Sequence, residues 1–166
     1  GAPATFGQRG GWLVKRLAAD FDLTLEQAAG IVGNLGFESD RFKTMQEQAP
    51  LGGRGGWGWA QWTASRRVAF ERRAAAHNLA PSSDEANYGY LHAELSGEDH
   101  RFDYSETITA LRRASTLGVA VFSVGQTYEH PGGTTPGYLP GFSARLEIAQ
   151  EALDYARGGA APALPP

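Results

Sequence analysis

The chain has 166 residues, enough for one domain to bury its own core without covalent staples. Hydrophobic residues make up 42% and charged residues 20%, both near globular averages, and a formal charge of −3 lacks the basic excess of a nucleic-acid binder. There is no Cys, which excludes disulfides and thiolate metal sites.

The elements follow in chain order. Trp12, Leu13, Leu17 and Phe21 recur near helical spacing and predict a first helix over residues 8–20, closed at Asp22. Thr24 with Gln27 forms a capping-box start. The helix that follows runs from Leu25 to about Phe37, with Ala28, Ile31, Val32 and Leu35 as its apolar stripe. Periodicity stops from Ser39 to Gly58, where Pro50 and Gly52-Gly53-Arg54-Gly55-Gly56 predict a loop or small hairpin. Helical pattern resumes over 59–78, 84–95, 105–114, 116–129 and 143–156, with a loop over 131–140. One domain is expected over 6–157, followed by a flexible Gly/Ala/Pro tail over 158–166. With no long β-run, the fold class is α+β, predominantly α-helical, with one irregular insertion.

Glu38 stands out within this pattern. It lies seven residues after Ile31 and three after Leu35, on the apolar stripe at the C-terminal end of its helix. Partial desolvation and the negative end of the helix dipole both favour the protonated form of a carboxyl placed there. A glycosidase needs such an acid to protonate a leaving oxygen. The irregular loop then leads into Gly56-Trp57-Gly58-Trp59-Ala60-Gln61-Trp62. Trp faces stack on sugar rings, Gly admits close approach to the backbone, and the Gln61 amide can both donate and accept. One or two of these Trp are expected to be core instead.

Gly33-Asn34-Leu35-Gly36-Phe37-Glu38-Ser39 followed by Gly58-Trp59-Ala60-Gln61-Trp62 resembles the phage tail lysozyme family. The order Glu-Ser, then Gly-x-x-Gln, is similar to that of soluble lytic transglycosylases and goose-type lysozymes. The resemblance is strongest from Ala28 to Phe70 and continues to Tyr128-Glu129-His130-Pro131. It implies a lysozyme-like, two-lobed domain with a saccharide cleft, Glu38 as general acid, Ser39 supporting its loop, and Gln61 with the Gly58-Trp59 backbone lining the floor. Trp57, Trp59 and Tyr128 join Gln61 as candidates for holding the glycan. Asn87-Tyr88 is similar to the Asn-Tyr pair of lytic transglycosylases and adds Tyr88 as a weaker candidate.

Hydrolysis with inversion needs a second carboxylate to position water. Asp40, Glu47 and Glu129 remain open for this role. Glu47 follows Glu38 at an interval similar to the Glu-to-Asp spacing of phage-type lysozymes, but the Thr those enzymes carry a few residues later is missing. If none is suitably placed, Glu38 would act as acid and then base in a lytic transglycosylase, giving 1,6-anhydro-muramyl products.

The activity implied is peptidoglycan degradation by a muramidase of the endolysin type, cleaving the β-1,4 bond between N-acetylmuramic acid and N-acetylglucosamine. Chitinase activity and a non-catalytic glycan-binding tail module are the other readings. No metal or cofactor is expected: His77, His92, His100 and His130 form no HExxH or i, i+4 pair. The expected partner is the peptidoglycan glycan strand, and the protein itself a monomer. No run reaches the ~20 apolar residues of a membrane span, and no signal-peptide pattern opens the chain. Synthesis in a host cytoplasm and action on the periplasmic or extracellular wall would follow. The pairs Arg66-Arg67, Arg72-Arg73 and Arg112-Arg113 read as solvated helix faces, or more sharply as contacts to anionic wall polymers or outer-membrane phosphates. The Gly52–Gly56 cluster lacks the Lys-Ser/Thr of a phosphate loop and reads as a tight turn.

Overall fold

Thr5 opens the first helix: its hydroxyl accepts the Gln8 amide N–H while the Gln8 side chain accepts the Thr5 N–H. The structure, a computed structural model, describes residues 4–48, 50, 52–129 and 137–158. Helix α1 (Phe6–Phe21) ends where Asp22 turns left-handed, at φ 53°. The expected capping box is present at the start of α2 (Leu25–Glu38), with Thr24 and Gln27 bonded reciprocally at 2.9 and 3.1 Å. There follow α3 (Ala64–Ala76), α4 (Asp84–Ser96), α5 (Ser105–Leu111), α6 (Leu117–Val124) and α7 (Phe142–Arg157). Ser83 caps α4 and Thr116 caps α6 through their hydroxyls.

Two expectations need correction. The helix expected from residue 59 begins only at Ala64, because Trp57 and Trp62 pair as an isolated antiparallel bridge and Gln61 between them adopts φ 52°. The helix expected through Glu129 changes to a π-helical turn over Gly125–Glu129. The β part of the expected class amounts, among the described residues, to that bridge and a second between Gln46 and Trp57. The 131–140 loop and the tail lie largely outside the described residues, as does His130.

The chain divides into two units, Gly1–Phe37 with Thr107–Pro166, and Glu38–Glu106. In the first, α1 packs on α7 and α6 on α7. Helix α2 is buried continuously from Gln27 to Gly36, not along one stripe. Glycine makes this possible: a Cβ on Gly33 would meet the Arg145 carbonyl and the Ala149 methyl, each at 2.6 Å, and one on Gly30 would meet the Ala120 backbone at 2.7 Å. Leu13, Leu17, Leu35, Val121 and Leu153 complete the core.

In the second unit α3 packs on α4 around an aromatic cluster. Trp62 stacks on Phe70 with centroids 4.9 Å apart and meets Tyr90 edge-on at 5.0 Å. Among the described residues no helix is long and apolar enough to cross a membrane.

Candidate functional site

Glu38 is the last residue of α2 and is half-buried. Beyond it the chain makes an unusual turn. Asp40, Arg41 and Phe42 have φ of 49°, 55° and 65°, three successive non-glycine residues in the left-handed region. Each such residue costs roughly 1–2 kcal/mol, so the turn needs support. Ser39 supplies it. Fully buried, its hydroxyl accepts the Phe42 N–H at 2.9 Å, and its carbonyl accepts the Thr44 N–H at 2.9 Å. The Phe42 ring then packs on Trp59, with centroids 5.3 Å apart.

The loop that follows is closed by its own side chains. Glu47 donates its N–H to the Gly56 carbonyl and accepts the Gly56 N–H on Oε2, both at 2.8 Å. Gln61 donates Nε2 to the carbonyls of Thr44, Met45 and Gly58 at 3.1, 2.9 and 2.9 Å. Its amide nitrogen is thus engaged in holding backbone. Asn87 from α4 accepts the Trp59 N–H at 3.0 Å and anchors itself on the Pro81 and Ser83 carbonyls. Gly58, at φ 83°, is needed here, since a Cβ would sit 2.7 Å from both Asn87 Oδ1 and the Trp62 ring.

Of the three Trp, Trp59 and Trp62 are buried and present no ring face to a sugar, while Trp57 remains partly exposed. The Trp57 indole N–H reaches the Pro81 carbonyl at 3.3 Å, and the Arg67 guanidinium lies 5.6 Å from its ring centroid. The Trp59 indole N–H is buried with no acceptor among the described residues. Tyr88 is buried near His92, with ring centroids 6.1 Å apart. Tyr128 and Glu129 lie on the π-helical turn of the other unit, Tyr128 buried and Glu129 half-buried. Asp40 is exposed.

The helix-face reading of Arg66 and Arg67 is overturned. Glu94, fully buried, accepts both Arg66 Nε and Nη2 at 2.8 Å and the Trp62 indole N–H at 3.0 Å. Arg67 is buried too, and its Nη1 donates to Gln46 Oε1 and to the Arg54 and Gly55 carbonyls at 3.0, 2.8 and 3.2 Å. It therefore clamps the Gly-rich loop onto α3. Arg54 adds an exposed bidentate pair with Glu71 at 2.8 and 2.7 Å. Arg112 donates to the Phe21 carbonyl at 2.9 Å.

Sequence reasoning passed over two groups. Asn34, inside the motif, is fully buried and donates to the Gly30 and Val121 carbonyls at 2.8 and 3.0 Å. It accepts Arg145 Nη1 at 2.9 Å, and the Arg145 guanidinium lies 4.1 Å from the Phe37 ring centroid. Glu94 was the other. A polar residue at a core position of an amphipathic pattern was the available signal in each case.

Compared with known proteins, residues 13–156 match the family model described as phage tail lysozyme. No curated protein and no solved structure matches the chain significantly.

Proposed function

Because the chain belongs to the phage tail lysozyme family, we propose that it is a muramidase with Glu38 as general acid, acting through a lytic domain over 6–157. The observation that carries this reading is the placement of Glu38: half-buried at a helix terminus, immediately before a left-handed turn stapled by Ser39. A carboxyl at the end of a closely packed helix is held in position without help from a mobile loop, as proton donation to a glycosidic oxygen requires. Trp57, with its partly exposed ring, is the platform we favour for a sugar, and the Gly58-Trp59 backbone, held by Gln61 and Asn87, is the rigid support beside it.

Glu47 and Glu129 are the proposed partners for positioning water. One observation favours a second reading, a lytic transglycosylase: Glu47 Oε2 is already bonded to the Gly56 N–H, which suits loop closure better than activation of water. In that mechanism Glu38 would donate its proton to the leaving oxygen. It would then take the proton of the 6-hydroxyl as that oxygen closes on the anomeric carbon.

The test is digestion of purified Gram-negative peptidoglycan by wild type and Glu38→Gln, with mass spectrometry of the products. Reducing-end muropeptides from wild type alone support the muramidase. Anhydro-muramyl products convert the assignment to transglycosylase. Equal digestion by both proteins removes Glu38 from the mechanism, and products from neither leave a glycan-binding module.

A further inference from the structure

The Arg72-Arg73 pair takes no part in the networks above. It borders a cavity of about 430 Å³ inside the Glu38–Glu106 unit, a volume within the roughly 300–1,000 Å³ range of small-ligand pockets. Helix α3 brings Ala69 and the two arginines to it. Helix α4 brings Tyr90 and Ala93, and the segment after α4 brings Glu98 to Arg101.

The charges on this wall are unequally engaged. Asp99 is used locally: its Oδ1 accepts the Arg101 N–H at 3.0 Å and lies 3.9 Å from Arg101 Nε. Arg72 and Arg73 form no ion pair among the described residues, and Glu98 is exposed. Arg73 is nonetheless not loose. It is half-buried and lies across α4 at Gly89, where a Cβ would stand 2.5 Å from its Nη1. The absence of a side chain at Gly89 is what lets the guanidinium lie there.

With Arg101 and Asp99 set against each other, two guanidinia and one carboxylate remain, beside the His100 imidazole and around a small apolar wall of Ala69 and Ala93, and they complement a ligand that carries both signs. We propose that this cavity binds the zwitterionic end of a peptide, with its carboxylate on Arg72 and Arg73 and its ammonium on Glu98. A planar carboxylate suits the guanidinium fork. Glu98 disfavours a purely anionic ligand such as a phosphate ester. The peptide chemistry that fits is the free end of a diamino acid in a wall stem peptide. This choice of source rests on the peptidoglycan reading above, whereas zwitterion binding itself does not.

The experiment is an NMR amide-shift titration of the full chain with the tripeptide N-acetylalanyl-γ-glutamyl-diaminopimelate, whose one free amine is on diaminopimelate, its form acetylated on that amine as well, and inorganic phosphate. The free tripeptide should give saturable shifts among residues 89–101, and acetylation should weaken it about tenfold, the size of one charge-assisted contact. Glu98→Gln should weaken the free peptide but not the acetylated one, and Arg73→Gln should weaken both. Gly89→Ala keeps every charge but displaces the Arg73 guanidinium, and should act like Arg73→Gln. Phosphate or acetylated peptide binding as tightly as the free peptide would make this a plain anion site and overturn the proposal. So would the absence of saturable shifts up to about 10 mM. The tripeptide has no glycosidic bond, so binding without peptidoglycan digestion would fail the muramidase and leave the pocket standing.

Discussion

The Ser39 hydroxyl accepts the Phe42 amide N–H at 2.9 Å, spanning the three left-handed residues that follow Glu38. A short side chain thereby holds a turn that its own sequence disfavours. Replacing Ser39 with Ala should leave the buried Phe42 N–H unsatisfied and destabilise the protein by about 1–3 kcal/mol. Urea unfolding measures this. If Ser39 acts by positioning the end of α2, turnover on peptidoglycan should fall more than the folded fraction does. An unchanged kcat in folded Ser39→Ala would assign the residue to stability alone.

Asn34 and Arg145 make a second prediction. The Asn34 side chain joins α2 to the Val121 carbonyl on α6 and to Arg145 on α7. Asn34→Ala removes a partner of a buried guanidinium, and hydrogen bonds to charged groups are worth about 1.5–3 kcal/mol. Asn34→Ala should lower stability by at least that much in thermal unfolding, since the two carbonyls also lose their donor; wild-type melting of Asn34→Ala would remove the Arg145 contact from the account.

The two buried indoles should respond differently to Phe. Trp62 Nε1 donates to the Glu94 carboxylate, whereas Trp59 Nε1 has no acceptor among the described residues. Both changes lose ring volume, but only Trp62→Phe also loses a charge-assisted bond. Its destabilisation should exceed that of Trp59→Phe by about 1.5–3 kcal/mol in chemical denaturation.

The Arg54–Glu71 pair gives a pH dependence. Hydrogen bonding from Arg54 and its positive charge, joined by Arg67, hold the Glu71 carboxyl below its ordinary 4.5. A carboxylate depressed in the folded state stabilises it above the unfolded value, and that stabilisation is lost as pH falls through the folded value. The stability difference between wild type and Glu71→Gln should therefore be constant above about pH 4.5 and close below it. The pair is largely exposed, so the effect should be small and should shrink in high salt.

The helices were legible where a cap is written locally, as at Thr24–Gln27 and Thr116. The segment from Ser39 to Trp62 was legible only as irregular. Its course depends on a non-glycine left-handed turn and on contacts from Gln61, Asn87 and Arg67, and Asn87 reaches Trp59 across 28 positions of chain. Arg66 and Arg67 looked solvated because adjacent arginines on a helix usually are, and their partners lie on other segments. The motif containing Glu38 was visible as a motif, yet Gly33 and Asn34 within it make helix contacts, and Gln61 bonds to the backbone of its own loop.

The order of the two units along the chain bears on how the protein matures. The Glu38–Glu106 unit is one uninterrupted segment, whereas the other is completed by residues from both ends. During synthesis the first can reach its native contacts while the ribosome is still translating. Helix α2 must wait, because the surfaces that close on Gly30 and Gly33 belong to α6 and α7. The helix that ends in Glu38 thus acquires its packing only once α7 has emerged, so translation products cut short before α7 would carry the motif without the scaffold that gives it a fixed position.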